Sequence, residues 1–281
     1  MISIFTACTP WYPLLDLLPR LAAAGYEGIE LGVKPHVADP AKPANCWSNN
    51  HAVISVDAVE AMLPELEAGL QRHGLKLAAI ASYHQAQELT AHRRLVAIAR
   101  RLGAGVIRAT IPGHDPQLGY AAQLTAQRTA WRELAIIGAG EGVRFSIELH
   151  DHTLSPSASS AMRILEGLPT AGCGVILDAA NTIGEGNESL PMAIDILGRH
   201  LAHVHVKQRC FRRREQPVNG SMLDMPITPL VEPGDVAWPQ IATMLRQAGY
   251  AGWYSVENFT QLDRPEERLR QDAAWIKALL G

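Results

Sequence analysis

The stretch Arg144-Phe-Ser-Ile-Glu-Leu-His-Asp-His152 decides how this chain is read. Its first six residues, up to Leu149, are rich in β-branched and aromatic types and predict a strand, and a helical segment follows from about Pro156. An apolar run that ends in a glutamate, with two histidines just behind it, is an unusual end for a buried strand. A carboxylate rarely enters a core unless it is paired or bound to a metal. An ion pair between Glu148 and an arginine is the plain reading of one such case. The pattern recurs, however. Val175-Ile-Leu-Asp178 ends in an aspartate, Leu201-Ala-His-Val-His-Val206 carries His203 and His205, and Trp253-Tyr-Ser-Val-Glu257 ends in a glutamate. Four successive apolar runs therefore each end at or near a residue able to hold a metal.

Working outward, four earlier strands are expected at Ile2 to Ala7, Gly28 to Val33, Leu75 to Tyr83 and Val106 to Ile111. Helical spacing falls between the strands, at residues 14–24, 56–73, 85–102, 118–139, 158–167, 190–199, 238–248 and 265–280, with Gly25 and Gly74 reading as helix stops. The strands are continuous apolar runs, as parallel strands covered on both faces should be. Eight strand-then-helix units in about 250–300 residues predict an α/β fold, a (β/α)8 TIM barrel. A doubly wound open sheet is the alternative, weakened because no G-x-G-x-x-G follows the first strand. No stretch has the composition of a linker, so residues 1–281 read as one domain. Long loops follow the second and seventh strands, on the face where barrel active sites sit.

The 281 residues are 47% hydrophobic and 19% charged, ample for a core, and the net charge of -3 offers no bulk basic field for nucleic acid. Cys8, Cys46, Cys173 and Cys210 form no CxxC, which points away from disulfides and zinc-thiolate sites and toward a reducing cytoplasm. No apolar run reaches membrane-spanning length, and the N-terminus reads as a strand rather than a signal peptide. A small-molecule substrate is the expected partner, and a homodimer or tetramer is left open.

On a barrel the C-terminal ends of strands five to eight share one rim, so Glu148, Asp178, His205 and Glu257 would converge. Three carboxylates and an imidazole form a hard site for one divalent metal ion, suited to Mn2+, Mg2+ or Co2+, with Zn2+ also compatible. His203 lies deeper and reads as a core histidine. Around this set, His150 could serve as acid/base or substrate ligand, and Lys207 and Arg108 could meet an oxyanion or carboxylate. Each also has a plain reading, as a supporting, solvated or paired side chain. Glu30, His84, Asn181 and His114 sit near strand ends and could line a pocket, and the arginines between Arg209 and Arg214 could clamp an anion or simply be solvated.

The four positions, as Glu148 in IELHD, Asp178 in ILDAANT, His205 in HVHVKQ and Glu257 in SVEN, resemble the sugar phosphate isomerase/epimerase family, the xylose isomerase-like barrels. AGYEGIELG near the start and EPGDVAW before the last unit extend the resemblance over nearly the whole chain. It implies one divalent cation on Glu148, Asp178, His205 and Glu257. It also implies chemistry at a carbon between a carbonyl and a hydroxyl, with Glu148 and Glu257 as paired acid/bases. The reaction would be isomerisation or epimerisation of a small sugar, sugar phosphate or related hydroxy-carbonyl compound. Expulsion of a hydroxyl would instead make a dehydratase of the dehydroshikimate or inosose type, and a barrel that only binds sugar is a third reading. Ketohexose 3-epimerases of the group carry a histidine and a glutamate where this chain has Asn181 and Leu154. No Asp-x-His follows His205, against a multi-metal nuclease.

Overall fold

The computed structural model describes residues 1–35, 38–39, 41–186, 188–218, 220–260 and 264–281. Eight strands, Ile2–Phe5, Gly28–Val33, Lys76–Gln85, Val106–Thr110, Arg144–Glu148, Cys173–Asp178, Leu201–Val206 and Tyr254–Val256, are the first to eighth of a closed barrel. Neighbours pair in parallel throughout, and the first strand closes on the eighth through Ile2 beside Tyr254. The predicted TIM barrel is the observed fold.

Helices cover the outside of the sheet because each strand presents apolar residues to both faces, and one face must be buried by another layer. The helix Leu14–Ala24 buries Leu14, Leu17, Leu18 and Leu21 and stops at Gly25, whose φ of 97° is the left-handed conformation that glycine adopts without strain. The helix expected over 56–73 is two, Val56–Ala61 and Leu63–His73. Pro64 explains the break, since it lacks an N–H and its ring opposes the carbonyl four residues back. The third strand runs past its expected end to Gln85, and the next helix starts only at Leu89. The long loop after the seventh strand is not bare coil. Arg212–Val218 pairs with Ser221–Asp224, and Gln208–Arg209 pairs with Ile227–Thr228, both antiparallel.

Register fixes the rim. Asp178 lies directly beside His205, and His205 beside Ser255, so the ends of the sixth, seventh and eighth strands are level. The Glu257 N–H donates to the Val206 carbonyl, which holds the last carboxylate at the same height.

Candidate functional site

Glu148, Asp178, His205 and Glu257 meet at the C-terminal mouth of the barrel, all buried, with one donor atom from each within 4.8 Å of the others. His205 is the centre of the group. Its Nδ1 is 3.0 Å from Glu148 Oε1 and 3.1 Å from Glu257 Oε1, while its Nε2 is 3.0 Å from Glu30 Oε1. Each glutamate turns its other oxygen to a cation. Arg108 Nη1 is 2.5 Å from Glu148 Oε2, and Lys207 Nζ is 3.0 Å from Glu257 Oε2 and 2.5 Å from Asp178 Oδ2.

The electrostatics follow from this pairing. Burial alone would push the Glu148 carboxyl up, but Arg108 and His205 outweigh it and hold Glu148 well below the usual carboxylate range. At Glu257 burial wins over His205 and Lys207, and its pKa lies above the usual value. Burial opposes the charged form of His205, yet the three surrounding glutamates raise its pKa well above that of a free imidazole. Among the described residues at this site, the four buried carboxylates of Glu30, Glu148, Asp178 and Glu257 face two permanent buried cations, Arg108 and Lys207. With neutral imidazoles, two negative charges remain, which is the charge of one divalent ion. The donor types, their spacing and this imbalance fit a hard divalent metal held by Glu148, Asp178, His205 and Glu257.

Beside the group opens a cavity of about 340 Å³. Arg108, His150, Lys207 and Arg209 bring positive charge to its wall, and Phe5, Trp47, Tyr83 and Phe259 give it an aromatic side. Trp47, from the loop after the second strand, lies 4.6 Å from Phe259 between ring centroids. Arg108 sits against the Phe5 and Tyr83 rings, at 5.4 and 4.9 Å. Burial opposes the charge on His150, but its bond to Asp151 and the nearby Glu148 raise its pKa to about 9. Asp151 in turn accepts from Arg209, which also donates to Asn181 Oδ1 at 2.8 Å.

Not every residue expected near the pocket lines it. His84 turns to Glu88, 3.1 Å away, and packs its edge on His92. Asn181 donates to the Leu149 carbonyl and, through its backbone N–H, to Asp178 Oδ1. His114 is exposed on the loop after the fourth strand. Of the arginine group only Arg209 reaches the cavity; Arg212 and Arg213 are exposed, and Arg214 pairs with Asp224. From sequence Glu30 is a candidate for the pocket wall and His203 a core histidine, whereas here Glu30 meets His205 directly and His203 meets Glu30. The signal was present: Ile29-Glu30-Leu31 repeats the Ile147-Glu148-Leu149 pattern of a glutamate inside an apolar run.

The family model for the xylose isomerase-like TIM barrel matches residues 18–279. The chain belongs to that family. Among solved structures, the fold matches a 3-keto-D-glucoside 4-epimerase from E. coli at a TM-score of 0.71 and 15% identity, over 99% of this chain and 98% of that one. A probable 3-DHS dehydratase from Bacillus anthracis matches at 0.70 and 15%, over 98% of each chain. A family member from Mycobacterium smegmatis, solved in complex with magnesium, matches at 0.71 and 15%, over 99% of this chain and 96% of that one. At these identities the likeness is one of fold. No curated protein sequence matches significantly.

Proposed function

We propose that the protein is a divalent-metal-dependent isomerase or epimerase that moves a proton at a carbon beside a carbonyl, in a small sugar, sugar phosphate or related hydroxy-carbonyl compound. The observation that carries this reading is the pair Glu148 and Glu257. They flank His205 from strands on either side, and each offers one oxygen to the metal-binding group and keeps one against a cation. Glu148, Asp178, His205 and Glu257 would hold the ion, whose chemistry when bound is to polarise the substrate carbonyl and acidify the adjacent C–H. One glutamate takes the proton and the other returns it to the opposite face or the neighbouring carbon. Arg108 and Lys207 would stabilise the negative charge that develops on the substrate oxygens, opposite an aromatic wall that includes Phe5, Tyr83 and Phe259. Mn2+, Mg2+ and Co2+ suit the oxygen-rich donor set, and Zn2+ remains compatible with it.

A second reading, a dehydratase, is supported by His150. Its ring lines the cavity in protonated form, held by Asp151, as an acid able to release water from the substrate. The cavity wall also favours acidic substrates over neutral ones, because Arg108 and Lys207 line it while His84 and Asn181 do not.

Among the described residues no helix is long and apolar enough to cross a membrane. The four cysteines are free, three of them buried, which suits a reducing compartment such as the cytoplasm. The test is to load the protein with Mn2+ and incubate it with pools of sugars, sugar phosphates and hydroxy acids in D2O. Proton NMR should report deuterium at a carbon beside a carbonyl, with an epimer or isomer formed. A conjugated product with no epimer selects the dehydratase, and no turnover of any pool with a metal-loaded protein counts against both.

A further inference from the structure

We propose that Glu30 is the positioning residue of the metal centre: it fixes the proton on His205 Nε2 and thereby presents Nδ1 to the cation. The inference rests on the reading of Glu148, Asp178, His205 and Glu257 as ligands, and it concerns a residue outside that set.

Glu30 lies on the second strand and His203 and His205 on the seventh, with the first and eighth strands between them. The carboxylate therefore reaches the two rings through the barrel interior, and all three side chains are fully buried. His203 Nε2 lies 3.1 Å from Glu30 Oε2. His205 Nε2 lies 3.0 Å from Oε1 and 3.1 Å from Oε2. An ionised carboxylate only accepts, so both rings must carry their proton on Nε2. For His205 this leaves Nδ1, which faces Glu148 Oε1 and Glu257 Oε1, as the nitrogen whose proton a bound cation would replace. For His203 it leaves a Nδ1 that has no hydrogen-bond partner among the described residues, as a bare lone pair can be left in a core at less cost than an N–H. His203 thus gives its one proton to Glu30 and steadies the carboxylate from the deeper side.

The arrangement is a carboxylate behind a ligating histidine, the device that sets tautomer and ring angle at metal sites, and losing such a partner costs about 10–100-fold in metal affinity. Glutamine at position 30 makes the logic testable. An amide has one accepting oxygen and one NH2 group, so one of the two acceptor positions that Glu30 fills becomes a donor. The oxygen at the Oε2 position could still accept from both rings, but His205 Nε2 lies 3.0 Å from one carboxylate oxygen and 3.1 Å from the other, so either orientation sets the NH2 against it. A donor there favours moving the His205 proton to Nδ1, which blocks the ligand. Removing His203 dissolves the conflict, because the amide can then turn its oxygen to His205 alone.

The test is Mn2+ titration of metal-free protein at fixed pH, with free Mn2+ followed by electron paramagnetic resonance and folding by circular dichroism. The wild type should bind one Mn2+, Glu30→Gln should bind it about 10–100-fold more weakly, and His203→Leu should stay within about threefold of the wild type. The double variant Glu30→Gln/His203→Leu should bind Mn2+ more tightly than Glu30→Gln alone. A purely structural Glu30 predicts the reverse, with the double variant the weakest. Should Glu30→Gln not fold, the double variant decides: binding within about tenfold of the wild type supports the proposal and a larger loss overturns it. Unchanged affinity in Glu30→Gln overturns this inference while leaving the four-ligand centre intact. A wild type that binds no Mn2+ overturns the centre itself. Two Mn2+ in the wild type and one in Glu30→Gln would make Glu30 a ligand and end its role as a positioning residue.

Discussion

Glu148 and Glu257 occupy matching places and live in opposite environments. Both are buried, and both put Oε1 about 3 Å from His205 Nδ1. Their other oxygens differ. Glu148 has Arg108 at 2.5 Å, a permanently charged guanidinium that the Glu148 side receives largely for itself. Glu257 has Lys207 at 3.0 Å, and that ammonium lies nearer still to Asp178, at 2.5 Å. A whole charge pins Glu148 as an anion, whereas a shared one leaves Glu257 with its pKa raised. Geometry alone makes the pair interchangeable; the cations assign them. On the proposed mechanism Glu257 would be the better proton acceptor and Glu148 the member anchored by its guanidinium.

The sharpest way to break this comparison is to neutralise each glutamate in turn. Glu257→Gln should lose turnover on the order of 10²–10⁴-fold while keeping much of its Mn2+ binding, because the amide retains one ligating oxygen. Glu148→Gln should lose turnover as well, but it alone leaves a buried guanidinium unpaired, at a cost of about 3–5 kcal/mol. Lys207 keeps Asp178 when Glu257 is changed, so that variant should be the more stable of the two. Denaturant melts and deuterium exchange into substrate check both halves. Equal stability of the two variants, or near-normal exchange in Glu257→Gln, would remove the asymmetry.

His150 sharpens it next, since it decides whether two glutamates suffice. In an isomerase or epimerase, His150→Ala should mainly raise KM, with deuterium exchange persisting. In a dehydratase it should slow water loss by on the order of 10²–10⁴-fold, read as absorbance of the new conjugated double bond.

What the sequence made legible divides along similar lines. Glu148, Asp178, His205 and Glu257 stood out because each interrupts or ends an apolar run, and barrel topology converts four strand ends into one rim. The barrel itself was readable from the strand–helix alternation. The cation partners were named, but their division of labour was not, since which oxygen Arg108 or Lys207 meets depends on rotamers set by packing. His84 was expected near a pocket from its place just past Tyr83. The third strand instead continues to Gln85 and turns the ring onto Glu88. Arg209 and Asp151 come from separate loops, and nothing local in either stretch signals the bond between them. Glu30 carried the same local signature as Glu148, yet its partners lie across the barrel, about 170 residues further along the chain.

Acid stability separates the site from its scaffold. His92, on the helix Leu89–Leu102, is fully buried, and burial pulls its pKa down to about 4 despite the bond from Nε2 to the Gln85 carbonyl. The folded protein keeps this ring neutral while the unfolded chain takes up a proton near the ordinary value of 6.5. The unfolded state therefore binds more protons between those limits, and stability should fall as pH drops from about 6.5 to about 4, by about 3 kcal/mol in all. His92→Gln keeps an N–H for the Gln85 carbonyl and removes the titration. Its urea midpoint should lose less on acidification than that of the wild type; the same slope in both would place the acid sensitivity elsewhere.

The smallest expected effect tests the shared lysine directly. Lys207 places a positive charge against Asp178 and Glu257, two of the four residues proposed as ligands. A cation there competes with a metal for the same oxygens. Burial would normally cost a lysine its proton, but Asp178 and Glu257 hold the ammonium above its usual pKa, so the competition persists at neutral pH. Lys207→Met keeps the length of the side chain and removes the charge. Even between buried charges the effective dielectric exceeds that of a dry interior, so the lost repulsion should tighten Mn2+ binding by roughly tenfold. Turnover should nevertheless fall, because in the proposed mechanism the charge that opposes the metal would also steady the substrate oxyanion. At Arg108 the same change should do little for Mn2+ affinity, since its charge is spent on the Glu148 oxygen turned away from His205. If Arg108→Met and Lys207→Met shift Mn2+ affinity equally, the two cations are equivalent and the contrast between the glutamates lies elsewhere.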